Sequence, residues 1–178
     1  MDSNFLHWFI STQKKSVLSG LATFPYRLLI GSVKAEITQD PPADKPDVTY
    51  GPYNGIDNDI NTIFYSKEEY GRWDPIYRIE LATPSQVHRV VITNRNTNGW
   101  RFEHAEVRVG YSDPYIYGMD TITDNILCAD YLGPAKNGEI ITLNCDGFID
   151  GKFVIIHLKS NNPLHFAEVE VFGQGKIQ

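Results

Sequence analysis

Short runs of alternating apolar and polar residues, separated by turn residues, fill the chain from about residue 75 onward. The runs IYRIEL (residues 76–81) and AEVRV (residues 105–109) alternate strictly, which is the period of a half-buried β-strand. Similar runs predict further strands at 33–38, 87–94, 126–132, 139–144, 152–158 and 165–172. Because no strong helical period lies between these runs, the pattern predicts an all-β fold, an antiparallel β-sandwich or barrel.

Residues 1–34 have a different pattern and are predicted to form an N-terminal extension. Apolar residues at helical spacing indicate an amphipathic helix over residues 4–22. The loop at 39–55 contains four prolines and separates this extension from the main domain at 35–178. The extension is basic, contains serine and has a single acid, Asp2, a composition typical of an organelle transit peptide. A retained docking segment is the alternative.

The overall charge excludes two classes of partner. The 178 residues carry a formal net charge of −6, which argues against nucleic acid and against anionic membrane surfaces. No apolar run is long enough to predict a membrane span. The sequence also has no nucleophile elbow, phosphate loop or zinc-type spacing, so we do not expect an enzyme.

The turn NGIDND (residues 54–59) is a candidate calcium site. Calcium takes six to eight oxygen ligands, and a tight Asn/Asp turn offers carboxylate, amide and carbonyl oxygens together. An ordinary turn, in which Asn and Asp cap their own backbone, explains the same residues.

The stretch ITNRNTNGWR (residues 92–101) is a candidate ligand site. Arg95 and Arg101 offer forked donors suited to vicinal hydroxyls or to a carboxylate, and Trp100 offers a surface on which a sugar ring can stack. Solvated loop charges and a tryptophan that covers the end of the sandwich are the alternative interpretation.

The two cysteines, Cys128 and Cys145, flank a predicted hairpin. A disulfide would indicate an oxidising compartment, whereas two buried free thiols would not. The spacing alone leaves both possibilities open.

Taken in order, these pieces resemble the F-type lectins, the fucolectin, tachylectin-4 and pentraxin-1 domains of the discoidin-like (coagulation factor 5/8 type C) group. The resemblance covers residues 35–173 and is carried by NGIDND, YRIEL, VVITNR, AEVRVG, the cysteine-containing segment ending in GKFV, and LHFAEVEVFG. It implies an antiparallel jelly-roll β-sandwich and a disulfide between Cys128 and Cys145. It also implies a structural Ca²⁺ ion held by Asn54, Asp57, Asp59, Ser66, Glu168 and the carbonyl of Ala167.

The resemblance implies a sugar site in which fucose is held by one histidine and two arginines. Arg95 and Arg101 match the arginines at a spacing one residue short, but Thr97 stands where the family has Asp. No histidine lies between residues 54 and 87, and the expected position falls near Tyr70. Because losing a buried polar partner weakens selective binding, we expect fucose specificity to be lost.

Two functions follow from these observations. The first is a calcium-stabilised, non-catalytic lectin-like module that binds a glycan through Arg95, Arg101, Trp100 and Tyr70. The second is a structural subunit of a larger assembly, for example a mitochondrial or ciliary one, that reuses the fold for contacts with other proteins. The disulfide would place the protein outside the cell, whereas the basic N-terminus favours a mitochondrion.

Overall fold

The computed structural model describes residues 26–28, 30–35, 50–66 and 75–175. Most of the regular structure in these ranges is β. The strands are β1 (Tyr26–Arg27), β2 (Ile30–Ala35), β3 (Phe64–Tyr65), β4 (Ile76–Thr93), β5 (Ala105–Gly110), β6 (Ile126–Tyr131), β7 (Ile140–Leu158), β8 (His165–Phe166) and β9 (Glu168–Gly175). The short helices are α1 (Pro114–Tyr117) and the 3-10 helices Pro52–Gly55, Gly99–Arg101 and Met119–Asp124.

Two long strands, β4 and β7, connect the layers of the fold. They pair with each other antiparallel along most of their length. The first half of β4 also pairs with β2, and the last part of β7 pairs with β5. The second half of β4 pairs instead with β9. The register of β4 shifts between Glu80 and Ser85, and at this irregularity β9 replaces β2 as its second partner while β7 remains the first.

The core lies between these two layers. Alternate residues of β4, β5, β7 and β9 point into it, as the two-residue period of a strand requires. One continuous cluster of buried side chains results, and it includes Tyr77, Ile79, Leu81, Val90, Ile92, Val107, Val154, Ile156, Val169 and Val171. Burial of each such side chain contributes about 1.5–3 kcal/mol relative to exposure. The predicted all-β, antiparallel β-sandwich is confirmed.

The strand boundaries differ from the prediction at several places. The predicted strands 76–81 and 87–94 form one strand, β4, because the segment around Pro84 is an irregularity within the strand and does not end it. The strands predicted at 139–144 and 152–158 are likewise joined in β7. The first predicted strand, 33–38, corresponds to β2, which begins earlier, at Ile30.

The end of the segment assigned to the extension takes part in the sandwich. β1 pairs with β9, β2 pairs with β4, and Leu28 between them is buried in the core. The helix predicted over residues 4–22 lies outside the described residues.

A disulfide joins Cys128 of β6 to Cys145 of β7, with a Cα–Cα distance of 4.2 Å. The predicted bridge is therefore confirmed, and the alternative of two free thiols is wrong. Within the sheet β6 pairs with β5, so the disulfide is a separate covalent link between β6 and β7.

Candidate functional site

The candidate ligand residues lie in loops at one end of the sandwich. This end is marked in one layer by Thr93, which pairs with Ile140 and Glu168, and in the other by Ala105, which pairs with Leu158. The loops that follow β4, β6 and β7 all leave the sheet here. Residues far apart in sequence are thereby brought to one surface.

Buried Asn94 fixes the loop that carries the two arginines. Its Nδ2 donates to the carbonyl oxygens of Gly99 (2.9 Å) and Lys136 (3.0 Å), and its Oδ1 accepts from the amide of Arg95 (2.9 Å). A Cβ at Gly99 would lie 2.6 Å from the Lys136 carbonyl oxygen, so this close approach requires glycine. The loop is therefore held in shape by the protein itself.

Arg95 and Arg101 converge on one aromatic residue, Tyr65. Arg101 Nη1 donates to Tyr65 Oη (3.1 Å), and the guanidinium carbon of Arg95 lies 5.8 Å from the centre of the Tyr65 ring. The guanidinium carbon of Arg101 also lies 5.5 Å from the Trp100 ring, which is 53% exposed. Three of the four predicted ligand residues are thus brought together, while Tyr70 lies outside the described residues.

A fully buried histidine, His165, lies beneath this surface. Its ring stacks on Tyr65 with centroids 5.9 Å apart and planes 7° apart. Burial, followed by the charges of Arg95 and Arg101, lowers the pKa of His165 to about 3, so the ring is neutral at physiological pH. Neither ring nitrogen has a hydrogen-bond partner within the described ranges.

Sequence reasoning missed both Tyr65 and His165 as site residues. They face each other across the two-stranded pairing of β3 with β8, which residue spacing does not reveal. The available signal was the position of His165 at the start of the segment HFAEVEVFG, next to the predicted ligand Glu168.

The acidic turn at 54–59 lies against the start of β9. Asp57 Oδ1 accepts from the amide of Asp59 (2.9 Å), and Asp57 Oδ2 accepts from the hydroxyl of Thr62 (2.8 Å). Glu168 Oε1 also accepts from the Asp59 amide (3.1 Å). Because both carboxylates accept from the same Asp59 amide, the side chains of Asp57 and Glu168 lie side by side.

The electrostatics of this carboxyl pair favour a cation. Burial raises the pKa of Glu168 to about 7, helped by the hydrogen bond that the protonated Glu168 carboxyl donates to Asp57 and by the negative charge of Asp57. Burial also opposes the charge on Asp57, but hydrogen bonds from Asp59 and Thr62 outweigh it and lower the Asp57 pKa. Two carboxylates in contact repel when both are ionised, and a hard divalent cation between them would remove that repulsion. The donor set therefore fits Ca²⁺.

The other predicted metal ligands make contacts within the protein. Asp59 Oδ1 accepts from the amide and side chain of Asn61. Ser66 Oγ accepts from the amide of Leu164 (2.9 Å), and Asn54 Nδ2 donates to a backbone carbonyl. Within the described ranges, no three His, Cys, Asp or Glu side chains are grouped as metal ligands. Carbonyl, amide and hydroxyl oxygens would have to complete the coordination shell, including those of Asn54, Ser66 and Ala167.

Comparison with known proteins finds fucolectins and domains of the same fold, although no family model matches the chain. It is 29% identical over 122 residues to Fucolectin of Anguilla anguilla, across 66% of the chain and 73% of the relative. The F5/8 type C domain of a Bacteroides fragilis protein has the same fold, with a TM-score of 0.60, 19% identity and coverage of 82% of this chain and 92% of that one. A fucolectin from striped bass (Morone saxatilis) serum matches with a TM-score of 0.64 and 25% identity. The chain resembles the fucolectins in sequence and has the fold of the F-type lectin and discoidin-like domains.

The predicted resemblance to the F-type lectins and their discoidin-like fold is thus confirmed. The match to the striped bass fucolectin covers 80% of the chain but 45% of that protein, so the chain corresponds to less than half of it. The relatives favour the lectin-like module over the assembly subunit and give no support to a mitochondrial location. Within the described residues no helix is long and apolar enough to cross a membrane.

Proposed function

We propose that this F-type lectin-like domain is a non-catalytic module that binds glycans at the surface formed by Arg95, Arg101 and Trp100. The observation that carries the proposal is the convergence of both guanidinium groups on Tyr65 beside an exposed tryptophan. Guanidinium forks donate to adjacent sugar oxygens, and an indole face stacks on the apolar face of a sugar ring. The names of the relatives, which are fucolectins, support the same function.

The fucose-type site is altered in this chain. Thr97, which occupies the position of the family's Asp, accepts a hydrogen bond from Arg95 Nη2 (3.0 Å) as a neutral hydroxyl. Tyr65 and the buried His165 form the surface beneath the arginines. We expect this chemistry to select a ligand other than fucose. A site rejects a ligand that leaves the site's own polar groups without hydrogen-bond partners.

Calcium is proposed as a structural ion at the turn. Asp57 and Glu168 would supply the negative charge, and further oxygens would come from Asn54, Asp59, Ser66 and Ala167. The ion would neutralise the carboxyl pair and hold the turn against β9.

We place the protein outside the cell. The bridge between Cys128 and Cys145 is typical of oxidising compartments, and the striped bass relative comes from serum.

A glycan array tests the proposal. The full-length chain is expected to bind a defined set of glycans, and Arg95→Lys and Arg101→Lys are each expected to weaken binding at least about tenfold. Lysine keeps the positive charge but lacks the forked donors of arginine. Weaker binding by the lysine variants would therefore show that the hydrogen-bonding geometry of the guanidinium is needed. Arg89→Lys is the matched control, because Arg89 stacks on Phe172 within the sheet. If the wild-type chain binds no glycan on the array, the proposed function is wrong.

A further inference from the structure

Among the residues that the structure describes, no carboxylate pairs with Arg95. Its Nη2 donates to the Thr97 hydroxyl, and its guanidinium faces the Tyr65 ring. Its Nε is buried and has no hydrogen-bond partner among the described residues. Thr97 and Tyr65, the two described side chains that contact this guanidinium, are therefore neutral.

The described groups around Arg95 do not compensate this charge. Burial, and then the positive charge of Arg101, lower the pKa of Arg95. Glu139 comes close to the Arg95 backbone, because its neighbour Gly138 donates to the Arg95 carbonyl. The Glu139 carboxylate, however, accepts from the Lys136 amide (2.6 Å) and the Tyr131 hydroxyl (3.3 Å). It is thus directed to other donors.

A half-buried guanidinium without a counterion is costly, because it has lost part of its hydration and gained no opposite charge. A ligand that brings an anion would restore the missing interaction. Carboxylates and sulfate esters present paired oxygens that match the guanidinium fork, and their negative charge adds a direct attraction to the guanidinium that a neutral acceptor cannot supply. A neutral sugar would leave the charge of Arg95 uncompensated.

We propose that the glycan taken by this site carries an anionic substituent, a carboxylate or a sulfate ester, and that Arg95 binds it. Arg101 and the Tyr65 hydroxyl would contact neighbouring oxygens of the same sugar, and Trp100 would cover its apolar face. The proposal rests on the glycan-binding function proposed above and names the ligand class for that site. The net charge of −6 does not oppose it, since recognition depends on the local field at the loop.

The test uses matched glycans that differ in one substituent. The full-length chain is presented with the same core oligosaccharide bearing a terminal carboxylate, a sulfate ester or no charge, at low and at physiological salt. The wild-type chain is expected to bind at least one charged form about tenfold or more tightly than the neutral form. Higher salt should reduce this preference. The carboxylate and sulfate arms show which anion the site takes.

Thr97 provides the variants that isolate charge. Thr97→Asp places a carboxylate beside Arg95, since the threonine oxygen already lies 3.0 Å from Nη2. We expect this change to reduce the preference for the charged glycan by about tenfold. Thr97→Asn has nearly the same shape without the charge and is expected to keep the preference. Thr97 is exposed, so both variants are expected to fold.

The outcomes separate this inference from the proposed function. If the chain binds the neutral form as tightly as both charged forms, the inference is wrong although the glycan-binding function stands. Equal preferences for Thr97→Asp and Thr97→Asn would also overturn it, because charge at Arg95 would then not decide selection. Binding to none of the glycans would reject the function and the inference together.

Discussion

Calcium is expected to raise the melting temperature of the wild-type domain at pH 8 by about 5–10 °C. A ligand at about 100 times its dissociation constant stabilises the folded state by about 2.7 kcal/mol. For a calcium site with a dissociation constant on the order of 10 µM, this condition is met at about 1 mM calcium. For a chain of this size, each kcal/mol moves the melting temperature by about 2–4 °C. Glu168→Gln is expected to remove most of this gain, since it deletes one of the two charges that contact each other at the site.

In the absence of calcium the same substitution should have the opposite effect. The folded-state pKa of Glu168, about 7, lies above its ordinary value of 4.5. The folded state therefore favours the protonated form, and its stability falls as pH rises from about 4.5 through about 7. The cost at pH 8 is on the order of 2–3 kcal/mol. With EDTA at pH 8, Glu168→Gln should therefore melt higher than the wild type, and at pH 4.5 the two should converge.

Thermal melts in calcium and in EDTA, at pH 4.5 and pH 8, check both parts of this expectation. Asp146→Asn is the matched control, because Asp146 is an exposed acid on β7 outside the turn. The calcium assignment fails if calcium stabilises Glu168→Gln as much as the wild type. The electrostatic account of the carboxyl pair fails if the wild type and Glu168→Gln lose stability equally in EDTA between the two pH values.

The sequence predicted this turn but not its geometry. The oxygen-bearing residues at 54–59 and Glu168 could be predicted as ligands, because each lies in a short local sequence motif. The contact between Asp57 and Glu168 depends on where the turn lies relative to β9, more than a hundred positions away, and no local pattern encodes that distance. The same limit explains why Tyr65 and His165 were missed, since the pairing of β3 with β8 brings them together.

Strand periods were predicted more reliably than strand ends. The alternation of Tyr77, Ile79 and Leu81 identified the face that is buried in the core. Pro84 suggested a turn, but β4 accommodates it as an irregularity at which β9 replaces β2 as its second partner. Proline and glycine mark local interruptions of the backbone, while the sheet partners on either side decide whether the strand continues.

Replacing Glu106 by alanine is expected to destabilise the domain by about 3–5 kcal/mol, the usual cost of breaking a buried charge network. Glu106 on β5 is 2% exposed. Its carboxylate accepts from Arg108 Nε (2.9 Å), Lys159 Nζ (2.6 Å) and His157 Nδ1 (3.1 Å). Burial raises the pKa of Glu106, but hydrogen bonds from these three groups outweigh it and lower the pKa to about 2. Removal of the carboxylate would leave its cationic partners uncompensated.

The pH dependence distinguishes this network from loss of packing. Because the folded-state pKa is lowered, the carboxylate contributes its full stability above about pH 4.5 and loses it as pH falls through about 2. The difference in unfolding free energy between the wild type and Glu106→Gln should therefore be largest near pH 7 and shrink towards pH 2.5. Urea unfolding at the two pH values measures it. A difference that stays constant with pH would show that charge is not the cause.

Glu170→Gln is the matched control for this network. Glu170 pairs with Arg27 on the surface, with both side chains more than a third exposed, and such pairs contribute about 0–1 kcal/mol. Glu106 and its partners lie on β5 and at the end of β7, and neither Arg95 nor Tyr65 contacts the carboxylate. Glycan binding by the folded fraction of Glu106→Gln should accordingly match the wild type. Weaker binding by that fraction would mean that the network also positions the arginine loop, which its contacts do not indicate.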